Sequence, residues 1–202
     1  MAAAYHNALA GAGIDAEQIG AADLYSCFPI AVWVARDALG ITLDDPRPLT
    51  LTGGLPFFGG PGNNYSTHGI AEIVHWLRAQ LEPAYGVVGA NGGYLSKPAV
   101  GVYANMPAEF PEAVPEFKAP EVVEVVSDPE PDGVIESYTF QPQKGGARAV
   151  VVGRQLSDGR RWVGVADPED AELLEWFEPA DPLGEQIVVC TGERNIVRRR
   201  PQ

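Results

Sequence analysis

The residues with the most chemical potential in this 202-residue chain lie in two glycine-crowded stretches. Thr52 to Ser66 reads TGGLPFFGGPGNNYS, and Gly89 to Val100 reads GANGGYLSKPAV. Glycine lets backbone approach a ligand closely and present its N–H groups unobstructed. The five glycines between Gly53 and Gly62 are not followed by Gly-Lys-Ser/Thr. They therefore do not build a phosphate-cradling P-loop, nor do they form GxGxxG before a helix. A helix starts after them near Asn63, Asn64 or Ser66, any of which can cap it. The positive end of its dipole faces the loop and favours a carbonyl or thioester oxygen there. The same glycines would equally let the chain turn tightly against a partner helix.

Titratable candidates are few. His68 falls in the first turn of that helix, where a general base could act. His68 and His75 are seven positions apart, too far for the i, i+4 pair of a zinc helix, and His6 stands alone near the start. Cys27, within Tyr25-Ser26-Cys27-Phe28-Pro29, is a candidate thiol; with no neighbouring base to name, the expectation is a buried and inert one. Ser96 and Lys97 have the composition of a Ser–Lys dyad, but adjacent residues on a strand point to opposite faces. Cys27 and Cys190 are the only cysteines, so neither a disulfide framework nor a CxxC knuckle is expected, and no metal ligand set.

Taken in order, YSCF, TGGLPFFGGPGN and GANGGYLSKPAVGVY resemble the C-terminal half of a thiolase over about residues 1 to 105. In that family the loops read GGxxxxGHPxG and CxGGG and line the acyl-CoA pocket. The resemblance implies that Gly53, Gly54, Gly59, Gly60, Asn91, Gly92 and Gly93 line a thioester site. It also implies replacements, because Gly60 stands where the family has its catalytic histidine and Ala90 where it has the second cysteine. Tyr25 occupies the first position of the NEAF or HDCF stretch, whose residue holds an oxyanion-hole water. A tyrosine hydroxyl can donate to an oxyanion, and its bulk can also fill the pocket. Cys27 matches the cysteine of HDCF, which is not the family nucleophile. With the histidine and second cysteine replaced, ordinary thiolase turnover is not expected of this chain alone.

The elements that must position these residues follow from periodicity. Helices are predicted over Ala2 to Ala12, Ile30 to Leu39 and Asn63 to Leu81. The last carries Ile70, Ile73, Val74, Leu77 and Leu81 at i, i+3, i+4, i+7 and i+11, with Pro83 just beyond. Strands are predicted over Asp23 to Ser26, Pro48 to Thr52, Gly86 to Ala90 and Ala99 to Ala104. The alternation implies an α/β fold, a mixed sheet covered by helices. The resemblance implies that residues 1 to 107 form a thiolase-like domain, expected to lack a first strand before its opening helix.

From Glu109 to Glu136 there are nine acidic residues, five prolines and one lysine, the composition of an extended connector. The expected boundaries are an acidic, Pro-rich linker over 108 to 134, with one strand over Glu121 to Val126, and a second domain over 135 to 202. That domain shows five strand patterns: Ile135 to Gln141, Ala147 to Gln155, Arg161 to Ala166, Gln186 to Thr191 and Asn195 to Arg199. A helix over Glu169 to Phe177 is inserted, and Asp158-Gly159 marks a hairpin. A small all-β barrel of the OB type is expected.

The formal charge of −13 argues against nucleic-acid and anionic-membrane surfaces. No apolar run approaches the ~20 residues of a span, no targeting signal is read, and a cytoplasmic setting is expected. The function expected from the resemblance is a thiolase-like acyl-CoA-binding protein of lipid or sterol metabolism, of the acyltransferase family and similar to acetyl-CoA acetyltransferase. Acyl-CoA or CoA would be its substrate or ligand, with no other cofactor. Its partner would be the N-terminal thiolase half, in cis or in trans, and homodimerisation stays open. The alternative is a non-catalytic assembly module that dimerises and docks a partner through its β-domain.

Overall fold

The computed structural model describes residues 1–107, 122–144, 146–177 and 181–200. The chain divides into two compact units, Met1–Pro120 and Glu121–Gln202.

The first unit opens with α1 (Ala2–Ala12), a segment in which alanine, the strongest helix former, fills six of eleven positions. It ends at Gly13 in the left-handed region (φ 65°), and the Ile14 N–H returns to the Leu9 carbonyl. A 3₁₀ turn, Ala16–Gln18, leads into β1 (Ile19–Asp23). Next come α2 (Pro29–Ala38), the short α3 (Leu55–Phe58), a 3₁₀ turn at Gly62–Asn64 and α4 (Tyr65–Arg78). The unit closes with β2 (Tyr85–Gly92) and β3 (Lys97–Ala104). The sheet order is β1-β2-β3, with β1 parallel to β2 and β3 antiparallel to it. Tyr5 and Leu9 of α1 and Ala35 of α2 pack with Ile19, Ala22 and Val87. Ile73 and Leu77 of α4 pack with Ala21 and Val88. Alternate strand residues thus serve two cores, one per face of the sheet.

Several boundaries differ from expectation. The first strand lies over Ile19–Asp23 rather than 23–26, because the apolar run before Asp23 is what pairs with β2. Residues 48–52 form no strand. They run beside β1 through Ala22 N–H to Pro48 O, Leu24 N–H to Leu49 O and Leu51 N–H to Ala22 O, then leave at a turn closed by Gly53 N–H to Thr50 O. Arg47 anchors this run by donating to the carbonyls of Ala16 and Ile19. The long helix stops at Arg78, so Leu81 falls off its apolar face and is fully exposed. The hairpin ladder extends further than expected, pairing Asn91 with Pro98 and Gly92 with Lys97.

The second unit is a closed five-stranded barrel of order β4-β5-β6-β8-β7. Its strands are β4 (Asp132–Gln143), β5 (Gly146–Gln155), β6 (Arg161–Ala166), β7 (Gln186–Cys190) and β8 (Ile196–Arg199). Among the barrel strands described, β6 and β8 pair in parallel and the others antiparallel. Trp162 is fully buried among Ile135, Ala149, Val151, Ile187 and Val197. Its ring is admitted by Gly153, where a β-carbon would lie 2.1 Å from the indole. The turn at Asp158-Gly159 is present, with Gly159 at φ 74° and Asp158 accepting from Gln155 Nε2 and the Arg160 N–H.

Helix α5 (Ala171–Phe177) starts later than expected because Asp170 Oδ1 accepts the Leu173 N–H and so marks the helix start. Strand β4 begins within the stretch expected to be linker, since Asp132, Gly133 and Val134 already pair with β7. Of the strand expected over 121–126, the described part forms one bridge, Val125 to Arg161. Linker residues 108–121 lie outside the described residues.

Candidate functional site

β1 and β2 run parallel, so both carboxyl ends open at one edge of the sheet, the usual place for a ligand crevice in such sheets. The segments that follow these strands carry the sequence-predicted residues: Tyr25 and Cys27 after β1, and Ala90, Asn91 and Gly92 in the last rungs of β2.

The glycine loop is tied to the end of β1 by a buried acid. Asp23 is fully buried, and its Oδ2 accepts the Thr52 N–H (2.8 Å) and the Thr52 hydroxyl (2.7 Å). The Thr52 oxygen in turn lies 2.6 Å from the Tyr65 hydroxyl and accepts the Gly54 N–H (3.2 Å). With its one proton given to Asp23, Thr52 accepts from Tyr65, so the chain of donors runs Tyr65 to Thr52 to Asp23. A second tie joins the Leu55 N–H to Ser26 Oγ at 3.0 Å. Gly54 is needed here, since its φ is 88° and a β-carbon would lie 3.2 Å from Ser26 Oγ.

Asp23 Oδ1 has no hydrogen-bond partner among the described residues. It faces α4 at Gly69, where a β-carbon would come within 2.8 Å of it. Burial pushes the Asp23 carboxyl above its ordinary range; the Thr52 donors pull the other way, and Glu72 adds a smaller upward push. The work of the network is to fix residues 52–55 at the end of β1.

Tyr25 and His68 share one aromatic cluster. Tyr25 meets Tyr65 edge to face (5.5 Å between centroids), Phe58 meets Tyr65 at 6.0 Å, and Phe58 meets His68 at 5.2 Å. Both candidates are half-buried. His68 Nε2 lies 3.4 Å from Asn64 Nδ2, which makes that ring nitrogen the acceptor. Asn64 holds the N-cap position of α4, but its side-chain oxygen takes the Thr67 hydroxyl instead of a backbone N–H.

The remaining residues divide. Gly53, Gly59 and Gly60 are exposed, whereas Gly54 is buried. Ala90 pairs with Ala99, and Asn91 and Gly92 belong to strand ladder, which leaves Gly93 (φ 61°) to make the turn. Ser96 Oγ donates to the Gly92 carbonyl at 3.5 Å, so it forms no dyad with Lys97. Cys27 is half-buried and free; His6 and His75 are exposed. Among the described residues, no group of three or more His, Cys, Asp or Glu could hold a metal.

Sequence reasoning passed over Asp23, Thr52 and Tyr65. The available signal was a lone acid ending an apolar strand, followed 29 residues later by a threonine at the mouth of the glycine loop.

The sheet with its glycine loop and the closed five-stranded barrel define a mixed α/β protein of two units. Residues 109–194 match the family model described as the thiolase-like protein type 1 additional C-terminal domain. The chain is also similar to the crystal structure of a monomeric SCP2-thiolase-like protein type 1 from Mycobacterium smegmatis. The two are 40% identical with a TM-score of 0.82, over 98% of this chain and 45% of that one. No curated protein matches the chain. These findings support thiolase-like, more narrowly SCP2-thiolase-like, membership. It spans about 45% of the length of the structure it matches.

Proposed function

We propose that this chain supplies the glycine-loop part of an acyl-CoA-binding site in a thiolase-like protein of lipid or sterol metabolism. One observation carries the reading: Asp23, Thr52 and Ser26 fix the glycine loop at the carboxyl end of the parallel strands, the edge to which β2 also brings Ala90 and Asn91. Backbone N–H groups of residues 53–60 and the Tyr25 hydroxyl would polarise a thioester carbonyl there. With Gly60 and Ala90 at two family catalytic positions, the site binds a thioester without the usual acid–base pair. Any chemistry would be carbon–carbon bond making or breaking beside the thioester carbonyl. We further assign the barrel to the OB type, on its closed five-strand order with α5 between the third and fourth strands.

Calorimetric titration of acetyl-CoA and octanoyl-CoA into the full protein tests the reading. Saturable micromolar binding is expected; folded protein that takes up neither thioester overturns it.

A second reading, the assembly module, is favoured by large apolar side chains left in solvent. Phe28, Trp33 and Phe57 are 61%, 52% and 89% exposed. Such a surface suits a packed partner, either the N-terminal thiolase half in cis or in trans or a second copy. Sedimentation of the chain with and without a separately expressed N-terminal half distinguishes these, and a monomer indifferent to that half argues against both.

A further inference from the structure

The barrel carries a groove of about 310 Å³ that belongs to neither the glycine loop nor its aromatic cluster. Its floor is Val150, Val163 and Val165 on the outer face of β5 and β6. On β6 the alternation puts Trp162, Gly164 and Ala166 inside, which leaves Val163 outside at 51% exposure. The connection between β7 and β8 forms the wall. Asn195 Nδ2 donates to the Val163 carbonyl (3.0 Å) and the Ser127 carbonyl (3.2 Å), and the Val165 N–H donates to Asn195 O (2.9 Å). Gly164 makes room, since a β-carbon there would lie 2.9 Å from Asn195 O. The groove is therefore held in shape by hydrogen bonds at both ends of its wall residue.

Charge decides what it would take. In the described part of this unit, Arg154 and Arg161 pair with Glu136, Arg160 with Asp158, Arg198 with Asp167 and Arg200 with Asp132, while Arg199 stacks on Trp176. Arg148, Arg194 and Lys144 form no ion pair among the described residues, and both of those arginines line the groove. Glu193 lines it too, so the lining carries one net positive charge. A chain of net charge −13 repels polyanions at long range, which disfavours the oligonucleotides that OB-type barrels often hold. An apolar floor, two guanidinium groups and one net positive charge suit a ligand with one negative charge and a short hydrocarbon body.

We propose that this groove binds a small amphipathic monoanion, an aliphatic carboxylate of medium length, with the carboxylate between Arg148 and Arg194 and the chain along Val150, Val163 and Val165. The site lies on the outer face of the barrel and stands or falls separately from the acyl-CoA reading, which rests on the first unit.

The test is an amide-resolved NMR titration of the full chain with sodium octanoate, repeated with inorganic phosphate and with a short oligothymidylate. Saturable shifts centred on Val150, Val163, Val165 and Asn195 are expected. The double variant Arg148→Gln/Arg194→Gln should bind at least tenfold more weakly with the other barrel amides unmoved, and Arg198→Gln, which removes a paired arginine, should bind as the parent does. Absence of saturable shifts at these amides, or equal affinity in the double variant, overturns the proposal. Phosphate or the oligonucleotide binding as tightly as octanoate also overturns it, in favour of a general anion site.

Discussion

Replacing Asp23 by asparagine and by alanine separates what its shape does from what its charge does. Asp23→Ala removes the acceptor for the Thr52 N–H, while the Thr52 hydroxyl can turn to Tyr65. A buried donor left without a partner costs roughly 1–3 kcal/mol. The small void adds about 1 kcal/mol. Relief from burying an acid offsets part of this, for a net loss of about 2 kcal/mol. For a unit of this size that lowers the midpoint of unfolding by on the order of 10 °C. Asp23→Asn keeps an oxygen for Thr52 and removes the charge. The folded-state pKa lies above the unfolded one, so the folded protein holds more protons between the two values. The stability this contributes is complete below about pH 4 and is lost as pH rises through the folded value. Asp23→Asn should therefore be at least as stable as the parent at pH 7 and lose that pH dependence. Hydrogen exchange at the β1 and β2 amides from pH 4 to pH 8 reads both variants within the first unit. An Asp23→Asn protein more than about 2 kcal/mol less stable at pH 7, with the parent's pH slope intact, would show that the charge itself holds the loop and refute this reasoning.

Gly153→Ala drives a β-carbon into the Trp162 ring, which is enclosed and cannot retreat. We expect a loss of about 3 kcal/mol in the barrel, read from the urea midpoint by tryptophan fluorescence, and an unchanged midpoint would contradict the packing. Glu136, whose carboxyl is held down at about 2 by Arg161 and Arg154, contributes stability that is present above the ordinary glutamate pKa and lost as pH falls toward 2. Glu136→Gln should cost about 1 kcal/mol at pH 6, and the gap should narrow as pH falls below about 4 and close only as pH passes below about 2 in acid-denaturation curves of the two proteins.

Local signals determined much of the architecture. The spacing of Ile70, Ile73 and Leu77 placed α4, the alanine-rich start placed α1, and period-two patterns with Asp158-Gly159 placed the barrel strands. Each of those is a property of neighbours in the chain, visible without a partner. The glycine loop and the segment after β1 were likewise readable as candidate site from residue type alone, since glycine lets backbone approach a ligand closely. The rest depended on residues far apart in sequence. Asp23 carries no mark of burial in the sequence; pairing with β2 and the approach of Gly69 bury it. Tyr25 and His68 share a cluster only because Tyr65 and Phe58 stand between them. Asn91 and Gly92 look like open turn until β3 supplies their rungs. All the arginines of the barrel look alike in a sequence; tertiary contacts alone assign most of them acidic or aromatic partners and leave two on a groove, because an ion pair is decided by where chains meet and composition cannot report that.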